Sequence, residues 1–325
     1  AGVSRWGLTM DAAASALWTF LTLIGGYALA VWSYETFNSA VGICWGLWRE
    51  CRVGDNFVKR YGQWAVITGG SDGIGRQYAL YLAKKGLNVV LVAMGDEKLK
   101  TTAREIESKF PVKVKQVPVN FARGFEVYDY IKKEIADLDI GVLINNVGTG
   151  PKFAANFDSF PLEQHHQLIN VNVIAGVVLS HIALPGMKQR GRGLVVNVSS
   201  VFGLTAVPTV LMYGATKAFV YSFSESLREE LKPFGVECQT VTPHFVATTL
   251  TDTFSRTVLG RLICVKVENY GRFLTMTLGK TPQTTGYWAH ALLVTMQKLV
   301  PLDIMPKIYH KLGGSLWSEK RLKSG

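Results

Sequence analysis

Between about residues 62 and 250, the chain alternates short apolar runs with longer stretches in which apolar residues recur every three or four positions. The short runs are nearly continuous, as in Val89-Val90-Leu91-Val92, and therefore indicate strands covered on both faces. This alternation predicts an α/β fold built on a doubly wound parallel sheet. Strands are predicted over residues 64–68, 88–93, 112–117, 141–145, 194–198 and 236–240, and helices over residues 74–85, 97–110, 125–136, 162–190 and 212–232.

The N-terminal part contains a longer apolar run. No residue from 12 to 34 has a formal charge, and about 20 such residues in a helix cross the ~30 Å hydrocarbon core of a bilayer. A buried helix of a soluble core is one alternative. A cleavable signal peptide is another, because Ala28-Leu29-Ala30 resembles a cleavage site. The run is predicted to be a membrane-spanning helix.

The charges that flank this run predict its orientation. Arg5 stands alone before it, whereas four basic residues follow between residues 49 and 60. Because positive charge concentrates on the cytosolic side, the main domain is expected in the cytosol. A second uncharged stretch, residues 36–48, is too short to span easily and is predicted to lie at the membrane interface.

Composition and charge narrow the range of partners. The 325 residues have a formal net charge of +11, which suits a phosphate-bearing cofactor, an acyl-CoA or an anionic lipid surface. No nucleic-acid partner is expected, because the basic residues are scattered rather than interleaved with aromatics. The four cysteines lack metal-site spacing, so a reduced chain is expected. His165-His166 has no third ligand in pattern, so no metal is expected and the pair is predicted to lie on a solvated helix face.

A glycine-rich turn directly follows the first predicted strand. It reads Thr68-Gly69-Gly70-Ser71-Asp72-Gly73-Ile74-Gly75 and runs into the next helix. Glycines there let the backbone turn tightly and approach a pyrophosphate, which then lies on the positive helix N-terminus. The turn therefore predicts a Rossmann-type dinucleotide site, whose contacts are expected at Gly69, Ser71, Asp72, Gly73, Ile74 and Gly75.

Three further residues predict acid–base chemistry. Tyr213 and Lys217 are four positions apart at the start of a predicted helix and so lie on one face of it, while Ser200 ends an apolar strand upstream. A free tyrosine has a pKa near ~10, and a nearby ammonium with an oxidised nicotinamide would lower it by ~1–3 units, toward the range of a general acid/base. Ser200 is expected to donate a second hydrogen bond to the substrate oxygen.

These residues and the segments around them resemble the short-chain dehydrogenase/reductase family over about residues 61–315. The chain is most similar to the membrane branch that contains very-long-chain 3-oxoacyl-CoA reductases, 17β-hydroxysteroid dehydrogenases types 3 and 12, and hydroxysteroid dehydrogenase-like proteins. Asn-Asn-Val-Gly in place of Asn-Asn-Ala-Gly, and a bulky residue after Pro243, point to this branch. The matching stretches are residues 68–75, 145–148, 170–173, 199–200, 213–217 and 243–248, with 184–187 and 284–288 in agreement.

The resemblance implies a role for each catalytic position. Tyr213 is the expected acid/base, Lys217 lowers its pKa and holds the nicotinamide ribose, and Ser200 polarises the carbonyl. Asn172 is expected to hold a water that links Lys217 to solvent, although a buried asparagine more commonly braces its own backbone. The implied cofactor contacts further along the chain are Asn146 and Gly148 at the adenine ribose, Thr248 at the nicotinamide carboxamide, and Pro243 and Val246.

The position that distinguishes NADP from NAD departs from the family pattern. NADPH-preferring members usually have an arginine just past the second strand, and NAD-dependent members an acidic residue one position earlier. This chain has Ala93 and Met94 there. Arg76 is another candidate for the 2′-phosphate, and Asn120 stands where an aspartate usually caps the adenine. NADP is favoured by resemblance, with NAD as the alternative.

Apolar stretches return near the C-terminus, over residues 258–265, 273–278 and 287–305. They are interpreted either as a substrate lid packed on the domain or as a second membrane contact through which a lipid substrate enters. The predicted organisation is a membrane anchor over residues 1–52, a dinucleotide-binding catalytic domain over residues 53–255, and this lid or second contact over residues 256–325.

Together these features predict an NAD(P)(H)-dependent oxidoreductase that interconverts a ketone and a secondary alcohol on a lipid-like substrate, either a 3-oxoacyl-CoA or a ketosteroid. The alternative is a catalytically silent family member that acts as a membrane-bound structural or regulatory subunit, for which Met94 and Asn120 leave room. The expected location is the endoplasmic-reticulum membrane, with a mitochondrial membrane as the alternative. A homodimer or a larger membrane assembly is left open.

Overall fold

The computed structural model describes residues 12–27, 29–30, 33–34, 44, 48, 56–151, 153–301 and 303–316. Its strands are β1 (Trp64–Thr68), β2 (Asn88–Ala93), β3 (Val114–Pro118), β4 (Ile140–Asn145), β5 (Gly193–Val198), β6 (Val236–Val241), β7 (Val246–Ala247), β8 (Val265–Lys266) and β9 (Gln283–Thr284). Seven of them form one sheet in the order β3-β2-β1-β4-β5-β6-β9, and every pairing in it is parallel. Strands β7 and β8 pair separately. The predicted doubly wound parallel sheet is confirmed.

Helices cover both faces of this sheet. They are α1 (Ala12–Tyr27), α2 (Phe57–Arg60), α3 (Gly73–Lys84), α4 (Glu97–Lys109), α5 (Tyr128–Ile135), α6 (Leu162–Ile169), α7 (Ala175–Arg190), α8 (Leu211–Leu231), α9 (Asp252–Ser255), α10 (Val258–Ile263), α11 (Val267–Thr277), α12 (Trp288–Lys298) and α13 (Met305–Leu316). Short 3₁₀ segments lie at Phe121–Val127, Phe157–Ser159, Val201–Gly203, Lys232–Phe234 and Thr249–Thr251.

The core lies in two layers because successive strand residues point to opposite faces. On β1, Ala65 and Ile67 pack with α3, α4 and α11, whereas Val66 packs with α5, α7 and α8. All three of these side chains are fully buried. This two-sided burial is the physical reason why the strands read as continuous apolar runs in the sequence.

The predicted strands end within two residues of the observed ones, and β1 and β2 match at both ends. The predicted helix 162–190 is interrupted by a π-helical segment, Asn170–Ile174. The predicted helix 125–136 begins instead as a 3₁₀ segment in which Gly124 has a φ of 72°. Strands β7, β8 and β9 were not predicted, since two residues are too few to give a periodic signal.

One helical segment among the described residues, Leu162–Arg190, is long and apolar enough to cross a bilayer. Its α7 part packs against β4 and β5, so it is a core helix of the domain. Helix α1 is apolar and exposes large side chains such as Trp18, at 71%. Its 16 residues (12 to 27) extend about 24 Å at ~1.5 Å per residue, less than a ~30 Å hydrocarbon core. Most of residues 28–52 lies outside the described residues, so the membrane anchor stays a prediction.

Candidate active site

The loops that follow the parallel strands meet at the C-terminal edge of the sheet, where such folds bind ligands. The turn after β1, the loops after β4, β5 and β6, and the start of α8 all lie at this edge. Every candidate residue from the sequence therefore belongs to the same side of the molecule. Their geometry decides which of them act together.

The glycine-rich turn after β1 is shaped by close backbone packing. Gly69 and Gly73 have φ values of 64° and 55°, a region that side chains rarely adopt. A Cβ on Gly75 would overlap the carbonyl oxygen of Gly69 and lie 2.5 Å from Asn146 Nδ2. Asp72 caps α3 by accepting a 2.7 Å hydrogen bond from the Gly73 N–H. The turn thus brings bare backbone and a helix N-terminus together, which fits a pyrophosphate.

Asn146 fastens this turn to the end of β4. Its Nδ2 donates to the carbonyls of Thr68 (2.9 Å) and Gly69 (3.3 Å), while its own backbone N–H donates to Thr68 Oγ1 (2.9 Å). The side-chain amide therefore binds the backbone of the turn. Its contact with the adenine ribose, which the resemblance implies, stays a prediction. Gly148 lies further along the same loop, where a Cβ would be 3.4 Å from Lys217 Nζ.

Asp72 also joins the turn to the loop after β6. Its second oxygen accepts hydrogen bonds from Lys98 Nζ (2.6 Å) and Thr249 Oγ1 (2.5 Å), and these partners hold the Asp72 pKa below its ordinary value against the opposing effect of burial. A Cβ on Gly73 would lie 3.1 Å from Thr248 Cγ2. The segment that begins at Pro243 therefore lies directly over the glycine-rich turn.

Ser200, Tyr213 and Lys217 are brought together by β5 and α8, as predicted. The Ser200 hydroxyl forms a hydrogen bond with the Tyr213 side chain and accepts one from the Phe202 N–H (3.2 Å). Lys217 Nζ lies 5.8 Å from the centre of the Tyr213 ring and donates to the carbonyl of Val198 (3.0 Å). Lys217 is only 4% exposed. One hydroxyl, one phenol and one ammonium thus form a compact polar group.

Burial sets the pKa values of this group. Desolvation raises the pKa of Tyr213 to about 12, against the lowering effect of the hydrogen bond with Ser200. Desolvation lowers the pKa of Lys217 to about 8. Without a cofactor, burial therefore has the larger effect on both groups, and the lowering of the tyrosine pKa by Lys217 with an oxidised nicotinamide stays a prediction.

Asn172 lies in the π-helical segment and its side chain is fully engaged. The amide nitrogen donates to the Thr149 carbonyl (2.9 Å) and Thr216 Oγ1 (3.0 Å), and the amide oxygen accepts from the Thr149 N–H (2.7 Å). It thereby holds the loop after β4 against α8. The side chain thus braces the backbone of Thr149 rather than its own backbone, and the water-holding role stays a prediction.

The three residues considered for the preference between NADP and NAD differ in their exposure and in their contacts. Met94 follows β2 and is 60% exposed. Arg76 forms an ion pair with Glu105 on α4. Asn120 caps the segment Phe121–Val127 by accepting from the Ala122 N–H (3.0 Å). Arg76 and Asn120 thus have structural partners, while the Met94 side chain is exposed.

Two neighbouring spaces adjoin the polar group. Ser200 and Tyr213 line a small cavity of about 50 Å³, and a larger apolar cleft of about 330 Å³ lies between the loop after β6 and the C-terminal helices. Phe202, His244 and Phe245 line both spaces. Sequence reasoning did not single out these three residues, although His244 and Phe245 lie in a stretch that matched the family.

The prediction for the histidine pair is wrong for its first member. His165 is 7% exposed and stacks on Phe157, with ring centres 4.7 Å apart, whereas His166 is exposed. Among the described residues, no group of three His, Cys, Asp or Glu side chains is placed to hold a metal ion. Cys44, Cys238 and Cys264 are free thiols.

Comparison with known proteins gives consistent matches. The family model for short chain dehydrogenases matches residues 63–258. The very-long-chain 3-oxoacyl-CoA reductase of Rattus norvegicus is 36% identical over 285 residues, covering 87% of this chain and 89% of the relative. The inactive hydroxysteroid dehydrogenase-like protein 1 of Pongo abelii is 34% identical over 246 residues, 76% of this chain and 74% of the relative. A solved short-chain dehydrogenase from Sphingobium yanoikuyae in complex with NADPH has a TM-score of 0.63 and 29% identity, covering 73% of this chain and 94% of that one.

Proposed function

The chain belongs to the short-chain dehydrogenase family and is an oxidoreductase, and on that premise we propose that it interconverts a ketone and a secondary alcohol on a lipid-like substrate with NADP. The observation that carries the proposal is the buried group of Ser200, Tyr213 and Lys217 beside a cavity that shares lining residues with an apolar cleft. NAD is the alternative cofactor.

Tyr213 is the proton donor in the reductive direction. With a pKa of about 12, its hydroxyl keeps its proton at neutral pH and can pass it to the oxygen of the substrate as negative charge develops there. Ser200 hydrogen-bonds the Tyr213 side chain and is placed to donate to the same substrate oxygen. When bound, the nicotinamide supplies the hydride that the carbonyl carbon receives.

Lys217 and Asn172 support this proton donor. An ammonium with a pKa of about 8 is mostly protonated at neutral pH, and one of its three N–H bonds is directed to Val198. The remaining N–H bonds are available to ribose hydroxyls and to proton return. Asn172 acts as a positioning residue, because its bonds to Thr149 and Thr216 fix the loop beside Lys217.

The dinucleotide is held by the turn after β1, where Gly69, Gly73 and Gly75 leave the space that a pyrophosphate needs. A relative of known structure binds NADPH, which supports NADP here. The exposed surface at Met94 leaves room for a 2′-phosphate without supplying a charge to bind it.

The substrate is a lipid-like ketone, either a 3-oxoacyl-CoA or a ketosteroid. The apolar cleft suits an acyl chain or a steroid, and the net charge of +11 suits the phosphates of CoA. Helix α12 exposes Trp288 (63%) and Leu292 (55%) while its Leu293 and Met296 line the cleft. An endoplasmic-reticulum membrane around that opening, with the domain on the cytosolic side, would deliver such a substrate.

A catalytically silent subunit is the second candidate function, because one relative at 34% identity is named inactive. The test is turnover of a long-chain 3-oxoacyl-CoA and of a ketosteroid with NADPH and NADH, with Tyr213→Phe as the matched control. The control variant should lose at least about 100-fold in rate, since general acid–base catalysis contributes ~10²–10⁴-fold, while its NADPH affinity is kept. Tight NADPH binding without turnover of either substrate would support the silent subunit instead.

A further inference from the structure

His244 lines both the cavity beside Ser200 and Tyr213 and the neighbouring apolar cleft. Its backbone follows Pro243, whose carbonyl lies 3.5 Å from Ser200 Oγ. The centre of the Phe202 ring is 6.5 Å from that of His244 and 6.3 Å from that of Tyr213. The imidazole thus lines the same small cavity as the two hydroxyls proposed to bind the reacting carbonyl.

The contacts of His244 fix its tautomer. Its Nδ1 accepts a 3.0 Å hydrogen bond from the backbone N–H of Phe245, so a neutral ring carries its proton on Nε2. The ring is neutral because burial and the neighbouring His290 lower the pKa of His244 to about 4. No described residue forms a hydrogen bond with Nε2, which leaves one N–H donor beside a mainly apolar space.

That donor is surplus to the reacting carbonyl. A carbonyl oxygen has two lone pairs, and the proposed function gives one to the Ser200 hydroxyl and the other to the Tyr213 hydroxyl. A third donor in the same cavity can be satisfied by a substrate only if the substrate brings a second acceptor. A 3-oxoacyl thioester has such an acceptor two carbons from its ketone, whereas an isolated ketone has none nearby.

We propose that His244 is a specificity-determining residue that donates its Nε2–H to the thioester oxygen of a 3-oxoacyl substrate while Ser200 and Tyr213 bind the 3-oxo group. The inference rests on the proposed function and selects the acyl thioester over a ketone without a neighbouring acceptor. A site with a donor for a substrate group discriminates against an analogue that lacks the group, because the donor is then left unpaired against the apolar part of the bound analogue.

The test compares a 3-oxoacyl-CoA with a long-chain ketone that lacks a second oxygen. The measured quantity is kcat/KM for the 3-oxoacyl-CoA divided by kcat/KM for the ketone. It is measured for the parent, His244→Phe and His244→Gln. His244→Phe should lower this ratio roughly tenfold, as expected for one neutral hydrogen bond. His244→Gln should recover much of it, since its amide can accept from Phe245 and still donate an N–H. His166→Phe, at an exposed histidine of α6, is the matched control and should leave the ratio as it is in the parent.

Calorimetry measures the affinity of the same proteins for both compounds. It therefore tests the inference independently of turnover. If the parent binds both but turns over neither, the proposed function fails, while an affinity ratio that falls in His244→Phe and returns in His244→Gln still supports the role of His244. Equal losses for the two compounds in His244→Phe, or an unchanged ratio, would overturn the inference and leave His244 as a packing residue. Thermal unfolding of each variant shows whether the protein is folded in the assay.

Discussion

Lys217 is an ammonium group held almost completely inside the protein, with 4% of its surface exposed. Burial lowers its pKa from 10.5 to about 8, so its charged form is less stable in the folded chain than in the unfolded one. At ~1.4 kcal/mol per pKa unit this amounts to roughly 3 kcal/mol at neutral pH. The hydrogen bond to the Val198 carbonyl offsets about 1 kcal/mol of it. Catalysis and stability thus conflict at this residue.

We therefore expect Lys217→Met to abolish turnover and to raise the free energy of unfolding by about 2 kcal/mol at pH 7. The pH dependence has a definite sign. Below pH 8 the lysine is charged in both states, whereas between about pH 8 and 10.5 only the unfolded chain binds the proton. The parent therefore gains stability as the pH rises through this window, and the advantage of the variant shrinks.

Chemical denaturation of both proteins at pH 7 and pH 9.5 measures this difference, and the subtraction removes the titration of groups common to both. A variant that is less stable than the parent at pH 7, or an advantage that grows with pH, would contradict the burial argument. Tightness of NADPH binding by the variant tests separately whether Lys217 holds the cofactor.

At the residue scale, the catalytic group was predictable because it depends on spacing along the chain. The surroundings of His165 and His244 were not predictable, because they depend on packing. Tyr213 and Lys217 share a helix face by their separation alone, and Ser200 ends a strand, so their meeting was predictable. The burial of His165 depends on Phe157, and the tautomer of His244 depends on Phe245 and the fold of one loop. No periodic pattern contains that information.

At the element scale, the turn after β1 depends on the absence of a side chain at Gly75. A Cβ there would overlap the Gly69 carbonyl, so α3 would have to move away from the turn. We expect Gly75→Ala to lower the melting temperature and to weaken NADPH binding at least tenfold, since the helix N-terminus would no longer face the pyrophosphate. Gly176→Ala is the matched control on α7, because its Cβ would meet Asn145 at an ordinary 3.7 Å. Its stability should stay level or rise. Equal affinity in the two variants would show that the turn does not hold the phosphates.

The end of β2 offers a separate test of cofactor choice. Met94 is 60% exposed, so an arginine there has room to extend. We expect Met94→Arg to raise the ratio of kcat/KM for NADPH over NADH, by roughly tenfold for one charge-assisted hydrogen bond to a 2′-phosphate. Met94→Leu, which keeps an apolar side chain, should leave the ratio close to that of the parent. No change in Met94→Arg would indicate that another group, such as Arg76 released from Glu105, already makes the choice.

The elements were predictable where a periodic pattern was long enough. Strands β1 and β2 were found at both ends because their apolar runs are bounded by turn residues. The π-helical segment Asn170–Ile174 was not predicted, since its sequence keeps a helical pattern and the change of hydrogen bonding has no compositional signature. Strand β9 consists of Gln283 and Thr284, and its pairing with Thr240 and Val241 of β6 is a contact between distant parts of the chain.

At the scale of the whole molecule, the apolar surface of the C-terminal segment adjoins the opening of the cleft. Helix α12 has a broad apolar face on which Trp288, Leu292, Leu293 and Met296 are all exposed, at 63%, 55%, 41% and 57%, and Leu293 and Met296 also line the cleft. An exposed apolar surface of this kind is unusual on a soluble domain and marks a protein or membrane contact. The exposed side chains therefore favour a second membrane contact over a lid that closes only on the domain.

We expect deletion of residues 1–52 to remove the predicted anchor and leave a folded, cofactor-binding domain that still associates with lipid. The deletion retains Phe57 and Tyr61, which are 0% and 1% exposed in the core beside β1, so the sheet and the turn after β1 keep their packing. Flotation of the truncated protein with liposomes, at low and high salt, is the measurement. Replacing Trp288, Leu292 and Leu299 with serine in the same truncated protein gives the matched control, because these side chains are exposed at 63%, 55% and 72%.

Flotation that survives high salt and is lost in the serine variant would identify an inserted apolar contact on α12. Flotation that disappears with salt would assign the residual binding to the excess of positive charge. At 0.1 M salt, exposed charges more than about 10 Å apart are largely screened, whereas apolar insertion is not weakened by screening. If the truncated protein does not float at either salt concentration, the C-terminal segment is a substrate lid, and the lipid substrate has to reach Tyr213 without this surface touching the bilayer.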